Sequence, residues 1–238
     1  PTVNGTAVSP IVFQGSPDTR PWGGGTRISA TAGDVLLVWG TYLQFKDLNL
    51  TGGAVGIGLN NSMYNEFERI YAITNFANGA KTYSVNNNSN SFRRCLLYSA
   101  SFGAMDFQDA SMGNNMENCI LGSVSGIALF TKVDSFSNIV RCIMVAPRIL
   151  SSEGNVPRKV QNSIFSYSTI FGSDHETLED VRRVYTNWVG NTVADPKFAN
   201  AAGLDFHLLS AAGFVSNGVW VTNAAVGYSP AIDFGSRE

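Results

Sequence analysis

The chain has 238 residues, enough for one domain with a substantial core, and a net charge of −2. Charged residues make up only 14% of it and glycine accounts for 24 positions, which suits a turn-rich β protein. No Lys/Arg cluster, no apolar run of membrane-spanning length and no secretory pattern at the start are visible. Neither nucleic acid nor a membrane is therefore expected as a partner.

Taken in order, residues 1–27 read as a first winding and cap, with Val12-Phe13 as a strand followed by a loop from Gln14 to Gly25. Trp22 in that loop reads as a lid over the open end of a core, or as a ring for ligand stacking. In Tyr42 to Leu50 the apolar alternation changes phase at Lys46-Asp47, as at a bend between two strands, and this puts Leu43, Phe45, Leu48 and Leu50 inside.

From there one phrase recurs: Phe67-Glu68-Arg69-Ile70, Phe92-Arg93-Arg94-Cys95, Met116-Glu117-Asn118-Cys119, Ile139-Val140-Arg141-Cys142 and Val160-Gln161-Asn162-Ser163. Its fourth position, followed from Ile28 through Leu48 to Ser163, returns every 20 to 25 residues. A period of that size marks a repeat architecture. Short β-rich runs between Gly/Asn/Ser turns make it a strand solenoid whose windings bury their inner faces only by stacking. Phe67, Phe92, Met116, Ile139 and Val160 form one expected inward column. Ile70, Cys95, Cys119, Cys142 and Ser163 form a second, about 4.8 Å per rung. Glu68, Arg93 and Glu117 alternate in sign on the outside, whereas Arg69 and Arg94 do not. The three cysteines read as small buried hydrophobes, because neighbouring rungs hold Cβ atoms too far apart for a disulfide. Asn at rung corners is expected structurally.

Residues 28–172 are thus the regular windings. At 173–190 a helical insertion is expected near 174–185, with a capping box at Ser173-Asp174-His175-Glu176 and Leu178, Val181 and Val184 on one face. Residues 191–238 form the last windings and cap. There Ala194-Asp195-Pro196-Lys197-Phe198, Leu204-Asp205-Phe206-His207-Leu208 and Ser229-Pro230-Ala231-Ile232-Asp233-Phe234-Gly235 resemble the closing signature of right-handed parallel β-helix proteins of the pectate-lyase-like superfamily. The resemblance implies an all-β right-handed parallel β-helix, here of about eight to ten coils. It leaves function open, since the superfamily spans polysaccharide lyases, glycoside hydrolases, adhesins and phage tailspikes. Its tailspike members imply a homotrimer.

Chemistry is sparse in the sequence. No CxxC or His-rich spacing suggests a metal, and no cofactor is expected. Lyase chemistry needs a base and a cation at a uronate carboxylate, for which the loop carrying Arg148, Glu153, Arg158 and Lys159 is the best source. Asp106, Asp109 and Asp134, with Lys132 nearby, form a thin acidic group. Trp22, Tyr64, Tyr71, Tyr83 and Tyr98, with Trp39, are rings that a glycan can stack on. The expectation is a non-catalytic extracellular or virion-surface module that binds cell-surface polysaccharide or other surface proteins. The alternative is a lyase or hydrolase of an acidic polysaccharide.

Overall fold

A computed structural model describes residues 4–16, 26–75, 77–84, 86–108, 111–132, 137–153, 157, 159–166, 169–171, 177–200, 205–208, 214–216, 219–221 and 229. Its strands wind into a right-handed parallel β-helix with three faces. The first face begins at Ile11–Gln14 and runs through the leading halves of Leu43–Gly52 and Glu66–Asn75. It continues with Ser91–Arg93, Asn114–Glu117, Ser137–Val140, Lys159–Gln161 and Trp188–Val189, eight rungs among the described residues. The second face begins at Thr26–Ala30 and takes the trailing halves of those two long strands. It then runs through Leu96–Ser99, Ile120–Ser123, Ile143–Val145, Ile164–Ser166 and Thr192–Val193. The third is a seven-stranded sheet: Asp34–Val38, Val55–Leu59, Asn78–Thr82, Gly103–Phe107, Ile127–Lys132, Arg148–Glu153 and Thr169–Phe171.

Register runs without slips along the first inward column. Phe13 pairs with Phe45, Phe45 with Phe67, Phe67 with Phe92, and the column continues through Met116, Ile139 and Val160 to Trp188. Its first four rings stack at centroid distances of 5.0, 5.2 and 4.7 Å, nearly parallel. The rung spacing sets this separation, so aromatic contact comes with the backbone ladder. Cys95, Cys119 and Cys142 are free and buried in the same core. Each thiol donates to a carbonyl one rung away, of Phe67, Phe92 and Met116 respectively. Burial pushes the Cys95 and Cys142 thiols well above their ordinary range.

The bend between the first and second faces falls where the two polar residues of the phrase sit. The second of them has positive φ in every rung: Asp47, Arg69, Arg94, Asn118, Arg141 and Asn162, between 49° and 57°. A left-handed residue turns the strand sharply without a loop. Outside the bend the charges interlock. Glu68 lies between Lys46 at 3.9 Å, Arg69 at 2.5 Å and Arg94 at 3.5 Å, while Arg69 also reaches Asp47 at 2.6 Å. The like-charged pair Arg69 and Arg94 is thus bridged by a shared glutamate. The Arg69 hydrogen bond holds the Asp47 carboxyl below its usual range. At the corner between the third and first faces buried asparagines form a ladder. Asn65 Oδ1 accepts from Leu43 N, Asn90 Oδ1 from Asn65 N, and Asn114 Oδ1 from Asn90 N, all within 3.1 Å.

The helix is shorter than its sequence pattern suggests. It spans Leu178–Val184, its capping box is Thr177 with Asp180, and Ser173 to Glu176 lie outside the described residues. The amphipathic face is the expected one in part: Leu178 and Val181 are buried in the interior cluster, and Val184 is exposed. Phe198–Asn200 and Asp205–Leu208 pair antiparallel, and Phe206 is buried on the outer side of the second face against Leu96, Ile120 and Ile143.

Phe67→Ala empties the middle of the ring stack and is expected to cost about 3–5 kcal/mol, read as a lower midpoint in chemical denaturation. Exposed Arg94→Ala should change stability by less than about 1 kcal/mol. The three thiols are expected to react with a thiol reagent only at the rate of unfolding, which a stopped-flow or timed colorimetric assay measures.

Candidate functional site

Side chains on a strand alternate between faces, so Lys81, Asp106 and Phe130, register partners on the third face, point to its outer side in one row. Tyr83, Gln108 and Lys132, two residues on, lie in the next row. The two rows converge on Asp106. Its carboxylate is buried, accepts from Gln108 Nε2 at 2.8 Å and faces Lys81 Nζ at 3.6 Å. Lys132, one rung further, acts on the same carboxyl at longer range. Burial is the largest influence on Asp106 and raises its proton affinity, against the pull of Gln108 and the two lysines. Its Oδ1 has no hydrogen-bond partner among the described residues.

Tyr83 closes the other side of the cluster. Its hydroxyl donates to Asp34 Oδ1 at 2.5 Å, across 49 residues of sequence, and its ring lies 5.4 Å from Lys81 Nζ. Gly58 makes this closure possible, because a Cβ there would sit 2.4 Å from Asp34 Oδ2 and 2.8 Å from the Tyr83 ring. Burial first, then the hydrogen bond to Asp34, push the Tyr83 phenol well above its ordinary range. The Asp34 carboxylate, the Tyr83 phenol and the Lys81 ammonium therefore gather over buried Asp106 on a sheet face that also exposes Trp39 and Leu37.

The residues singled out from sequence fall in several places. Arg148 is exposed and opens a third-face strand beside Ile127, whereas Lys159 lies on the first face beside Asn138. Glu153 pairs in register with Lys132, and Arg158, Trp22, Asp109 and Asp134 lie outside the described residues. Tyr71 and Tyr98 are half-buried against the C-terminal hairpin, with the Tyr98 ring 4.7 Å from Phe206 and lying across Gly122. Tyr64 stands at a corner, stacked on Tyr42. Lys81, Gln108, Asp34 and Gly58 were missed by sequence reasoning. A signal existed: Gly56 and Gly58 interrupt an apolar strand, and a glycine inside a strand marks close approach of another group. No group of three or more metal-ligating side chains occurs among the described residues.

No family model and no curated protein matches the chain. Among solved structures it is similar to the crystal structure of an alginate lyase from Paenibacillus sp. str. FPU-7, with 16% identity and a TM-score of 0.48. The alignment covers 71% of this chain and 67% of that one. At this identity the likeness speaks for no residue of the cluster.

The raised proton affinity of Asp106 has a sign that can be measured. Its protonated form favours the fold, so its contribution is complete at acid pH and is lost as pH rises through the raised value. Asp106→Asn is therefore expected to raise the melting temperature near pH 7, with the gain shrinking as pH falls towards 4. Thermal melts across that range measure it.

Proposed function

We propose that the protein acts on an acidic polysaccharide lying across the outer side of the third face and cleaves it by β-elimination. The convergence of Lys81, Tyr83 and Lys132 around buried Asp106 carries this reading. Elimination from a uronate needs a cation at the carboxylate, a base at C5 and an acid at the leaving oxygen. Lys132 supplies the cation; Lys81 first passes a proton to Asp106, and the neutral amine so formed takes the C5 proton. Tyr83 gives its proton to the glycosidic oxygen as the C4–O bond breaks and the C4–C5 double bond forms. The phenol suits the donor role because burial and Asp34 keep it neutral. Asp106 is a positioning residue: it holds Lys81, and its raised proton affinity lets it share that amine's proton. Exposed Trp39 offers a ring on which the chain of sugars can rest.

One observation favours a second reading. Lys81 and Tyr83 are each already held by a carboxylate, as in a surface that binds without turning over. The protein would then be a non-catalytic module that binds the same polymer or assembles with surface proteins, on a virion among other settings. Both readings carry an extracellular place with them, because the polymer they require is extracellular.

Incubation with alginate, polygalacturonate and hyaluronate, followed by the absorbance of unsaturated ends, tests the choice. Elimination predicts that this absorbance rises, and that Lys81→Ala and Tyr83→Phe each lower the rate by about 100-fold or more while the fold is kept. New reducing ends without unsaturation would replace elimination by hydrolysis. Binding without any cleavage would replace the enzyme by the module.

A further inference from the structure

Where the third face turns into the first, successive rungs present Tyr42, Tyr64, Ser89 and Gly113. All have positive φ, of 55°, 57°, 55° and 69°. They occupy one corner position: Tyr42 N donates to Met63 O, Tyr64 N to Asn88 O, and Ser89 N to Met112 O. The left-handed backbone belongs to the corner, and serine and glycine satisfy it in the later rungs. Bulky side chains are the costly choice there. Nothing in the corner requires a ring, yet two adjacent rungs carry one.

The two rings stack at 5.0 Å and 9°, so their planes lie across the solenoid axis. One face of Tyr64 is covered by Tyr42. The other looks towards the rung of Ser89, whose side chain is too short to cover it, and Tyr64 remains 48% exposed. The aromatic ladder thus stops with an open step. Amides lie on the rung of Ser89 and the next: Asn88 Oδ1 accepts from Met112 N at 2.7 Å, and exposed Asn115 donates to Gly113 O at 3.2 Å and accepts from Asn138 Nδ2 at 2.8 Å. A flat apolar face beside hydroxyl and amide groups matches a pyranose, which has an apolar C–H face and a polar rim.

We infer that Tyr64 is a sugar-stacking platform, and that a pyranose ring of a bound polysaccharide occupies the step above it, over Ser89. The inference takes its ligand class from the proposed function but uses none of the residues of the Asp106 cluster. It supplies a second point of attachment, at the corner that follows the third face, by which a polymer is held across more than one rung.

Affinity electrophoresis in gels containing alginate or polygalacturonate tests it, using a Lys81→Ala parent so that the polymer stays intact. Tyr64→Asn keeps a residue that tolerates the left-handed corner and is expected to weaken retention about tenfold. Ser89→Leu fills the open step with a side chain that offers no flat face and is expected to abolish retention, with circular dichroism kept and the melting temperature lowered by the bulky residue at the left-handed corner. Retention of both variants equal to the parent overturns the platform alone. No retention of either parent or wild type by any uronate polymer overturns the polysaccharide reading and the platform with it.

Discussion

The structure depends on lateral agreement between rungs. A single winding exposes as much apolar surface as it hides, and it buries its inner face only when the next winding sets the same kind of residue at the same place. Phe13, Phe45, Phe67 and Phe92 do this with rings, and Met116, Ile139 and Val160 continue with aliphatic chains of similar reach. Polar groups obey the same rule. Buried Asn65, Asn90 and Asn114 each accept the backbone N–H of a neighbouring rung, so the corner has few orphaned donors despite its depth.

This constraint explains why so much was legible in the sequence. Inward positions must match their neighbours, so they repeat, and repetition is visible without coordinates. The two inward columns, the burial of the three cysteines and the bend at Lys46-Asp47 follow from that alone, whereas the outer Arg93 pairs with Glu66 rather than with Glu68 or Glu117. What the sequence hid lies outside the columns. Tyr71 and Tyr98 read as free rings because the hairpin that leans on them is about a hundred residues later. A trace of it was present: Leu96-Leu97, Ile120-Leu121 and Ile143-Met144 are paired apolar residues, as expected of strands covered on both sides. The start of the helix was misplaced by one turn, since Ser173 to Glu176 and Thr177 to Asp180 both have capping-box spacing.

The candidate site was legible only in fragments, for the same reason inverted. Outer positions are not required to match, so no periodicity marks them. Asp106 and Lys132 attracted notice as charges, whereas Asp34 and Gly58 gained meaning only when the windings brought them under Tyr83. The contrast with the outer ion ladder is instructive. Glu68 and its arginines are partly solvated and mutually satisfied, as structural pairs are. Asp106 has given up its water, retains an oxygen without a partner among the described residues, and is not fully offset by its lysines. An arrangement that costs stability without repaying it in packing is the kind that function retains.

The left-handed residue at each first bend also governs how such a chain tolerates change in length. Because Arg69, Arg94 and Arg141 fix the turn within one peptide unit, an added residue there would invert the inside and outside of the strand that follows. The segments that lead to the asparagine corner do differ in length from one winding to the next, with six residues between Leu59 and Glu66 and four between Lys132 and Ser137. Each winding therefore resets its own phase, and a miscount in one does not pass to its successors. Genetic drift in length is channelled to two of the three edges, and whole windings are the natural unit of gain or loss.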